Sequence, residues 1–457
     1  MTQNFAAWRL PVYLTACLIL GGASAGGFMA NGLLQALGII LIAIMLWPSG
    51  SAHDQDGKAR AERPWLYPDD RILGLLLLGT IGWIILQLIP LPPFIWQNLP
   101  GRAAIVEGDA LLGMDSVWRP ISIQPGRTLA SALSLIPPVA IFLMTLRADD
   151  SALRNSIYLI LIVGIFSTVL GLVQLAQGPG SAAYFYDITN DNAAVGFFAN
   201  SNHLATLYLV ILVFAANLPH DQKIQRRKST SWTFIRLLIL AFFIVSLIIN
   251  RSLAGLALLI PVLVYWSAQI GRVRTLITEL GRGVLVVAGS IGAVIAIILF
   301  FSLQNTRLAN LTQPVERLEY YANSLGIAWE NFPFGTGLGS FRWVYNLHEN
   351  WEQLNLTYVN HAHGDFVELL MEGGLFTLIL IGGFLYWLAR RLIALIGDQR
   401  PWTEFATPAA VSVAVILGHS LVDYPARTTA IAALLAMSIA MLARPPAPGQ
   451  RRMRSKL

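Results

Sequence analysis

The sequence predicts an all-α, polytopic integral membrane protein, and three observations carry that expectation. Only 12% of the 457 residues are charged, against about 25% in an ordinary soluble domain. Hydrophobic residues make up 55% of the chain, and its mean hydropathy is +0.60. The apolar residues come in continuous runs rather than in alternation, which points to spanning helices and away from a β-barrel.

Taken in order, apolar runs at about 11–30, 32–47, 72–96, 128–146, 154–177, 202–218, 235–250, 252–270, 284–302, 375–397, 405–422 and 428–443 give about twelve spans. Each approaches the length that crosses ~30 Å of hydrocarbon. Residues 11–30 resemble a signal peptide in composition, but the runs that follow make a retained first helix the better reading. Cys17, the single cysteine, lies in that run, so no intramolecular disulfide can form and the thiol reads as a core residue.

Basic residues orient the spans. Lys223, Arg226, Arg227, Lys228 and Arg236 sit between the sixth and seventh runs, and Arg272, Arg274 and Arg282 follow the eighth. Arg390, Arg391 and Arg400 follow the tenth, and the tail carries Arg444, Arg451, Arg452, Arg454 and Lys456. Twelve spans with both termini inside put all of these on one side, as the positive-inside rule expects. The net charge of +6 is thus topological rather than a nucleic-acid signature. The loops 97–127, 178–201, Asn250-Arg251-Ser252, 303–374 and 423–427 then face outward. Asp54-Gln55-Asp56 matches a metal-binding DxD pattern, but falls on the inner side and reads as solvated loop.

Polar chemistry concentrates in the longest outer loop. From Tyr358 to Gly374 there are two histidines, His361 and His363, and three carboxylates, Asp365, Glu368 and Glu372. An alternating histidine pair in an extended segment puts both rings on one side, which with His348 would suit a metal. Two loop histidines satisfied by water would look the same. A sharper reading starts from a helix opening at Gly364, on which Asp365, Glu368 and Glu372 share a face at steps of three and four. His363 then stands at the positive end of the helix dipole, which favours a neutral imidazole able to take a proton from a hydroxyl. His361 reads as support.

Two arginines belong with this stretch by topology. Arg251 lies at the outer mouth between two spans, where a charge needs a partner or a function. Arg317 opens a helix expected to run to about Glu330. A guanidinium fork suits an anionic ligand such as a diphosphate, whereas interfacial snorkelling of Arg251 and a local ion pair of Arg317 are the plain alternatives. The run Pro333-Phe334-Gly335-Thr336-Gly337-Leu338-Gly339 fits either a phosphate cradle or a tight turn.

These pieces occur in a telling order: Asn250-Arg251-Ser252, Glu316-Arg317, Pro333 to Phe341, then His361-Ala-His-Gly-Asp-Phe-Val-Glu. In that order the chain resembles the O-antigen ligase and O-antigen (exopolysaccharide) polymerase family of Wzy-type membrane glycosyltransferases. Gly196 to His203 and His419 to Pro425 extend the resemblance, which covers mainly 190–385. It implies a GT-C-like fold forming a single polytopic domain over 1–457, with a catalytic periplasmic loop at 303–374. It also implies a bacterial inner-membrane enzyme that moves a glycan from an undecaprenyl-diphosphate carrier to an acceptor sugar hydroxyl, without metal or other cofactor and with inversion. The acceptor would be the lipid A-core or the growing glycan itself; membrane lipid surrounds the chain, and no nucleic acid is involved.

Carried over, His363 matches the family's catalytic histidine, and Arg251 and Arg317 match its diphosphate-contacting arginines. His361, Asp365, Glu368, Asn200 and Asn202 are supporting or acceptor-binding candidates. Gly364 departs from the family, which usually has asparagine there. Trp343, Tyr345, Trp351 and Tyr358 are candidate sugar-stacking or interfacial aromatics. The competing class is a secondary transporter or lipid-linked glycan flippase, which calls for ionisable groups near mid-membrane. The spans are almost free of them, and this favours the enzyme.

Overall fold

The computed structural model describes residues 2–24, 29–47, 65–66, 68–218, 229–270, 313–349, 359–397 and 403–444. The described residues are helical and form no strand beyond one isolated bridge, Leu91 with Arg119. In chain order the helices are α1 (Thr2–Leu20), α2 (Met29–Leu46), α3 (Arg71–Leu88), α4 (Pro93–Trp96), α5 (Ala103–Leu111) and α6 (Pro125–Ser134). Then follow α7 (Ile136–Arg147), α8 (Asp150–Gln177), α9 (Ser201–Ala215), α10 (Ser229–Asn250) and α11 (Leu253–Ile270). The last are α12 (Gln313–Glu330), α13 (Phe341–His348), α14 (Asp365–Ile396), α15 (Ala406–His419) and α16 (Thr429–Ala443).

Among the described residues, five segments are long and apolar enough to cross a membrane: Met29–Leu46, Pro68–Leu88, Pro125–Arg147, Asp150–Gln177 and Asp365–Ile396. Six further apolar helices, the described parts of α1, α9, α10, α11, α15 and α16, are shorter. The chain is an all-helical membrane protein. Every predicted run overlaps one or two of these helices except 284–302, which lies outside the described residues, as does Asp54-Gln55-Asp56. Prolines set two of the interruptions. The run at 72–96 breaks after Leu88, where Pro90, Pro92 and Pro93 remove backbone donors, and 128–146 breaks at Leu135, just before Pro137 and Pro138.

The bundle is built around α9. All of its residues from His203 to Ala215 are buried. A helix that is apolar all round has no solvent or lipid face to offer and goes to the middle of a large fold. Around it pack α8, α10, α11 and α15, while α16 joins α15, α7 and α1. Leu14, Cys17 and Leu18 of α1 are fully buried in the same core. The opposite helix ends carry the basic residues. Arg444 pairs with Asp150, Arg154 with Glu404, Arg391 with Asp70, and Arg236 donates to the Leu218 carbonyl.

One kink shapes the other end. Within α14, Gly374 adopts φ 60° and ψ −147°, and the segment 331–341 nests against the break. Leu375 N–H donates to Pro333 O at 2.9 Å, Thr336 N–H to Met371 O at 3.1 Å and Gly337 N–H to Glu372 O at 2.9 Å. A Cβ at Gly374 would fall 2.1 Å from Pro333 O, so glycine is needed for both conformation and space. The turn answers the phosphate-cradle alternative as well. Gly335 N–H goes to Asn331 O, Leu338 N–H to Gln87 Oε1, Ser340 N–H to Gly337 O, and Phe341 N–H to Glu372 Oε1. Its amides are held by protein acceptors, and the run is a tight structural turn. Gly374→Ala is expected to lower the thermal unfolding midpoint in detergent, with a cost of about 1–3 kcal/mol.

Candidate active site

At the end of the bundle away from the basic pairs, four separate pieces of chain meet. The helix start predicted at Gly364 is observed there: Gly364 is the N-cap residue and α14 begins at Asp365. A Cβ at position 364 would come within 2.6 Å of the Tyr321 hydroxyl. That close approach explains the glycine, because the Tyr321 hydroxyl of α12 lies 2.7 Å from both His363 O and Leu421 O, which share its one proton. Tyr321 thereby joins α12, the histidine segment and the turn after α15.

The carboxylates of α14 do share a face, and it is turned toward Arg427. The guanidinium lies 3.5 Å from Asp365, 3.3 Å from Glu368 and 3.1 Å from Glu372. Glu368 also accepts from Ala362 N–H at 3.0 Å and holds His361 Nδ1 at 2.8 Å. Burial alone would lower Arg427, but Glu368, Glu372 and Asp365 outweigh it and raise the guanidinium above its ordinary value. These groups are buried and engaged with one another. Asp365 and Glu368 therefore act as scaffold for the segment that carries the histidines.

His363 is placed differently. Its side chain is 26% exposed, against 13% for His361, and its Nδ1 faces Asp423 Oδ1 at 3.5 Å. Tyr424 packs edge-on against the rings of His203 and His363, and His361 lies tilted against it with centroids 4.3 Å apart. Tyr320 stacks on the other side of His363. With Nδ1 turned to a carboxylate, the lone pair left for proton transfer belongs to Nε2. Asp423, supplied by the turn after α15 rather than by α14, is the charge that faces the ring.

Asp423 is fully buried and tightly held. Tyr424 N–H donates to Oδ1 at 2.9 Å, and the Asn202 amide donates to Oδ2. Burial alone would raise this carboxyl. The facing imidazole of His363 and the fields of His203 and His419 outweigh burial and hold it below the ordinary carboxylate range. Asn202 in turn accepts from Ser252 Oγ at 2.6 Å. Asn200 caps α9 through the Asn202 N–H at 2.8 Å and bonds the Tyr424 side chain. Asn250 donates to Ala194 O and Ser201 O, fastening the α10–α11 turn to the start of α9.

Arg251 occupies that turn, exposed, with φ 63°, and among the described residues its guanidinium has no protein partner. Arg317 stands in α12, where its Nη1 donates to Val422 O at 3.1 Å and leaves its other donors unengaged among the described residues. The only non-glycine residues with positive φ among the described residues are Arg251 and His363, at 63° and 55°. Such conformations cost energy and persist where their surroundings hold them, most often at functional sites.

Other candidates fall elsewhere. His348 bonds Val344 O and pairs with Glu330, apart from the histidine segment, and no cluster of three or more metal-ligating residues forms among the described residues. Tyr345 is 2% exposed and stacks on Phe341, so it is a core residue that no sugar can reach. Trp343 is 45% exposed, with Arg127 5.7 Å from its ring centroid. Trp351 and Tyr358 lie outside the described residues. From sequence, Asp423 and Tyr424 figured only in the outer turn 423–427 and the stretch His419 to Pro425, and Arg427 only in that turn, with no role given to any of them or to Tyr321. A charged turn, Asp423 to Arg427, between two apolar runs was the available signal, because ionisable groups at a bundle mouth require partners.

Fold and site together define a polytopic, all-helical membrane protein with a recessed polar cluster at one end. Residues 224–382 match the family model described as O-Antigen ligase (Wzy_C), which supports the O-antigen ligase/polymerase family for this chain. The matched segment carries Arg251, Arg317, His361 and His363, whereas Asn202, Asp423 and Arg427 lie outside it. No curated protein matches the chain.

Two outcomes follow from these contacts. Arg427→Met leaves three buried carboxylates without their counter-charge and is expected to destabilise by about 3–5 kcal/mol in chemical unfolding. Adding Glu372→Gln should return part of that loss. Asp423, depressed in the fold, contributes stability that is complete above its ordinary value of 3.8 and is lost as pH falls through the lower folded value. Unfolding followed from about pH 5 downward through about pH 2 should therefore show an acid loss that is smaller in Asp423→Asn.

Proposed function

We propose that the chain is a membrane glycosyltransferase of the O-antigen ligase and polymerase type. It acts at the periplasmic face of a bacterial inner membrane, and it transfers a glycan from an undecaprenyl-diphosphate carrier to an acceptor hydroxyl. The observation that carries this reading is the pair Arg251 and His363. Both are held in left-handed backbone conformations at one end of the bundle, and both adjoin the same buried Asp423, Arg251 through the hydrogen bonds of its neighbour Ser252 with Asn202 and His363 through an Nδ1 that faces the carboxylate at 3.5 Å.

In this reading Arg251 and Arg317 grip the diphosphate with donors that the protein leaves unengaged. The acceptor hydroxyl loses its proton to His363 Nε2 as its oxygen attacks the anomeric carbon from the face opposite the diphosphate. The bond from that carbon to the diphosphate oxygen breaks, and its electron pair leaves on the diphosphate, where the two guanidinium groups balance the added charge. Asp423 holds the imidazole in the required tautomer and stabilises the imidazolium that forms. The glycosidic bond is inverted, and the reaction needs no metal. The acceptor, whether lipid A-core or growing glycan, distinguishes ligase from polymerase.

His361, Asp365 and Glu368 serve as supports in this reading, with Asn200 and Asn202 fixing the start of α9. The flippase alternative needs ionisable groups along a path through the bundle. Clustering of the open donors at one end supports the enzyme instead.

His363→Ala and Arg251→Ala are expected to abolish surface-glycan assembly while each protein remains in the membrane. The check is a deletion strain complemented with each variant and scored for lipopolysaccharide banding and secreted polysaccharide. Normal glycan ladders from membrane-inserted His363→Ala protein would end the base assignment. In the deletion strain, single capped units indicate a polymerase, and full-length glycan retained on the carrier indicates a ligase.

A further inference from the structure

We propose that Asn202 is a positioning residue that couples the Arg251 turn to His363, so that the donor grip and the proton acceptor are set through one chain of hydrogen bonds that ends on Asp423, 3.5 Å from the imidazole. This rests on the catalytic reading of His363 given above. The chain has a direction. Gly255 N–H donates to Ser252 Oγ at 3.0 Å, and the Ser252 hydroxyl donates to Asn202 Oδ1 at 2.6 Å. Asn202 Nδ2 donates to Asp423 Oδ2, and Asp423 Oδ1 faces His363 Nδ1 at 3.5 Å.

Only an amide meets both requirements of position 202. Its oxygen must accept from a hydroxyl, and its nitrogen must donate to a carboxylate. The reversed orientation would set Oδ1 against the Asp423 carboxylate and lose that bond, so the carboxylate fixes the amide. Asn202 Nδ2 on one oxygen and Tyr424 N–H on the other then fix the plane of the Asp423 carboxylate. A carboxylate held at both oxygens leaves His363 one direction in which Nδ1 can point. Each bond also polarises the next in a buried setting.

The two ends of the chain give it meaning. It begins at Ser252, the neighbour of Arg251, and ends facing His363, and Arg251 and His363 are the left-handed non-glycine residues among those described. Thr206, one turn along α9, donates to Asn202 O and accepts from His419 Nδ1 at 2.8 Å, so α9 itself is braced against α15 at this level. A shift of the turn when a diphosphate engages Arg251 is therefore passed to the imidazole by rigid contacts rather than absorbed by a flexible loop.

The test uses the full-length protein in lipid nanodiscs. Lipid-linked glycan extracted from a deletion strain serves as donor, with that strain's lipopolysaccharide as acceptor. Asn202→Asp keeps size and shape but sets a second carboxylate against Asp423. The expected result is a loss in kcat of about ten- to a hundredfold near pH 8, the scale seen when an orienting partner is removed. Donor KM should stay within about threefold of wild type.

As pH falls toward about 5.5 the facing carboxylates come to share a proton, which restores a donor, and the variant to wild-type rate ratio should rise. His203, His363, His419, Tyr424, Asp365 and Arg317 surround this point in both proteins, so the ratio separates the new carboxylate from them. Wild-type kcat in Asn202→Asp, a loss confined to KM, or a ratio flat with pH would overturn the proposal. Ser252→Ala leaves Asp423 intact and decides the matter if Asn202→Asp does not reach the membrane: reduced kcat supports the coupling, and wild-type kcat overturns it. His363→Gln in the same assay separates the two readings. If it keeps full activity, the base assignment fails; if it is inactive while Asn202→Asp runs at full rate, only the coupling fails.

Discussion

The site end of the molecule depends on one guanidinium. Arg427 meets Asp365, Glu368 and Glu372 from successive turns of α14 and so fastens that helix to the turn entering α16. Everything nearby takes its position from this contact. Glu368 reaches back to His361 and Ala362, Glu372 caps α13 through Phe341 N–H, and Asp365 N–H bonds Ser420 O and Asp423 O. Three acids and one base do not balance. The remaining negative charge is offset by backbone and histidine donors, which makes the cluster intolerant of any loss of a donor.

Much of this was legible in sequence wherever a local period carries the information. The opening of α14 at Gly364 and the common face of its acids follow from glycine, carboxylate spacing and helical geometry alone. The helix containing Arg317 was likewise readable to its end at Glu330. What spacing could not supply was the partner of that acidic face, because Arg427 lies 55 residues beyond Glu372 and reaches it only through the tertiary fold. Asp423 was hidden for the same reason. Its neighbours Asn202 and His363 come from segments that no local pattern relates. Tyr345 shows the converse error, since an aromatic in an outer loop looks available until its helix is seen packed on α12.

The order of the motifs carried more than any one of them. A glycine-rich run by itself suggested a phosphate cradle, yet its amides are occupied because the turn has a structural task at the Gly374 kink. Arginines are also sorted by setting. Those at the far helix ends are paired with acids or carbonyls and brace the bundle, as Arg444 and Arg391 do. Arg251 and Arg317 keep open donors at the end where the histidines lie.

The shortness of α9 has a consequence for depth. At 15 residues the central helix is about 22 Å long, whereas α8 and α14 have 28 and 32 residues, enough for more than the ~30 Å of hydrocarbon. Thr168 of α8 meets the Tyr208 hydroxyl, seven residues from the start of α9 and nine from the end of α8, and α14 begins beside Asp423, so the extra length of both lies toward the basic end and the polar tip of α9 stands level with theirs.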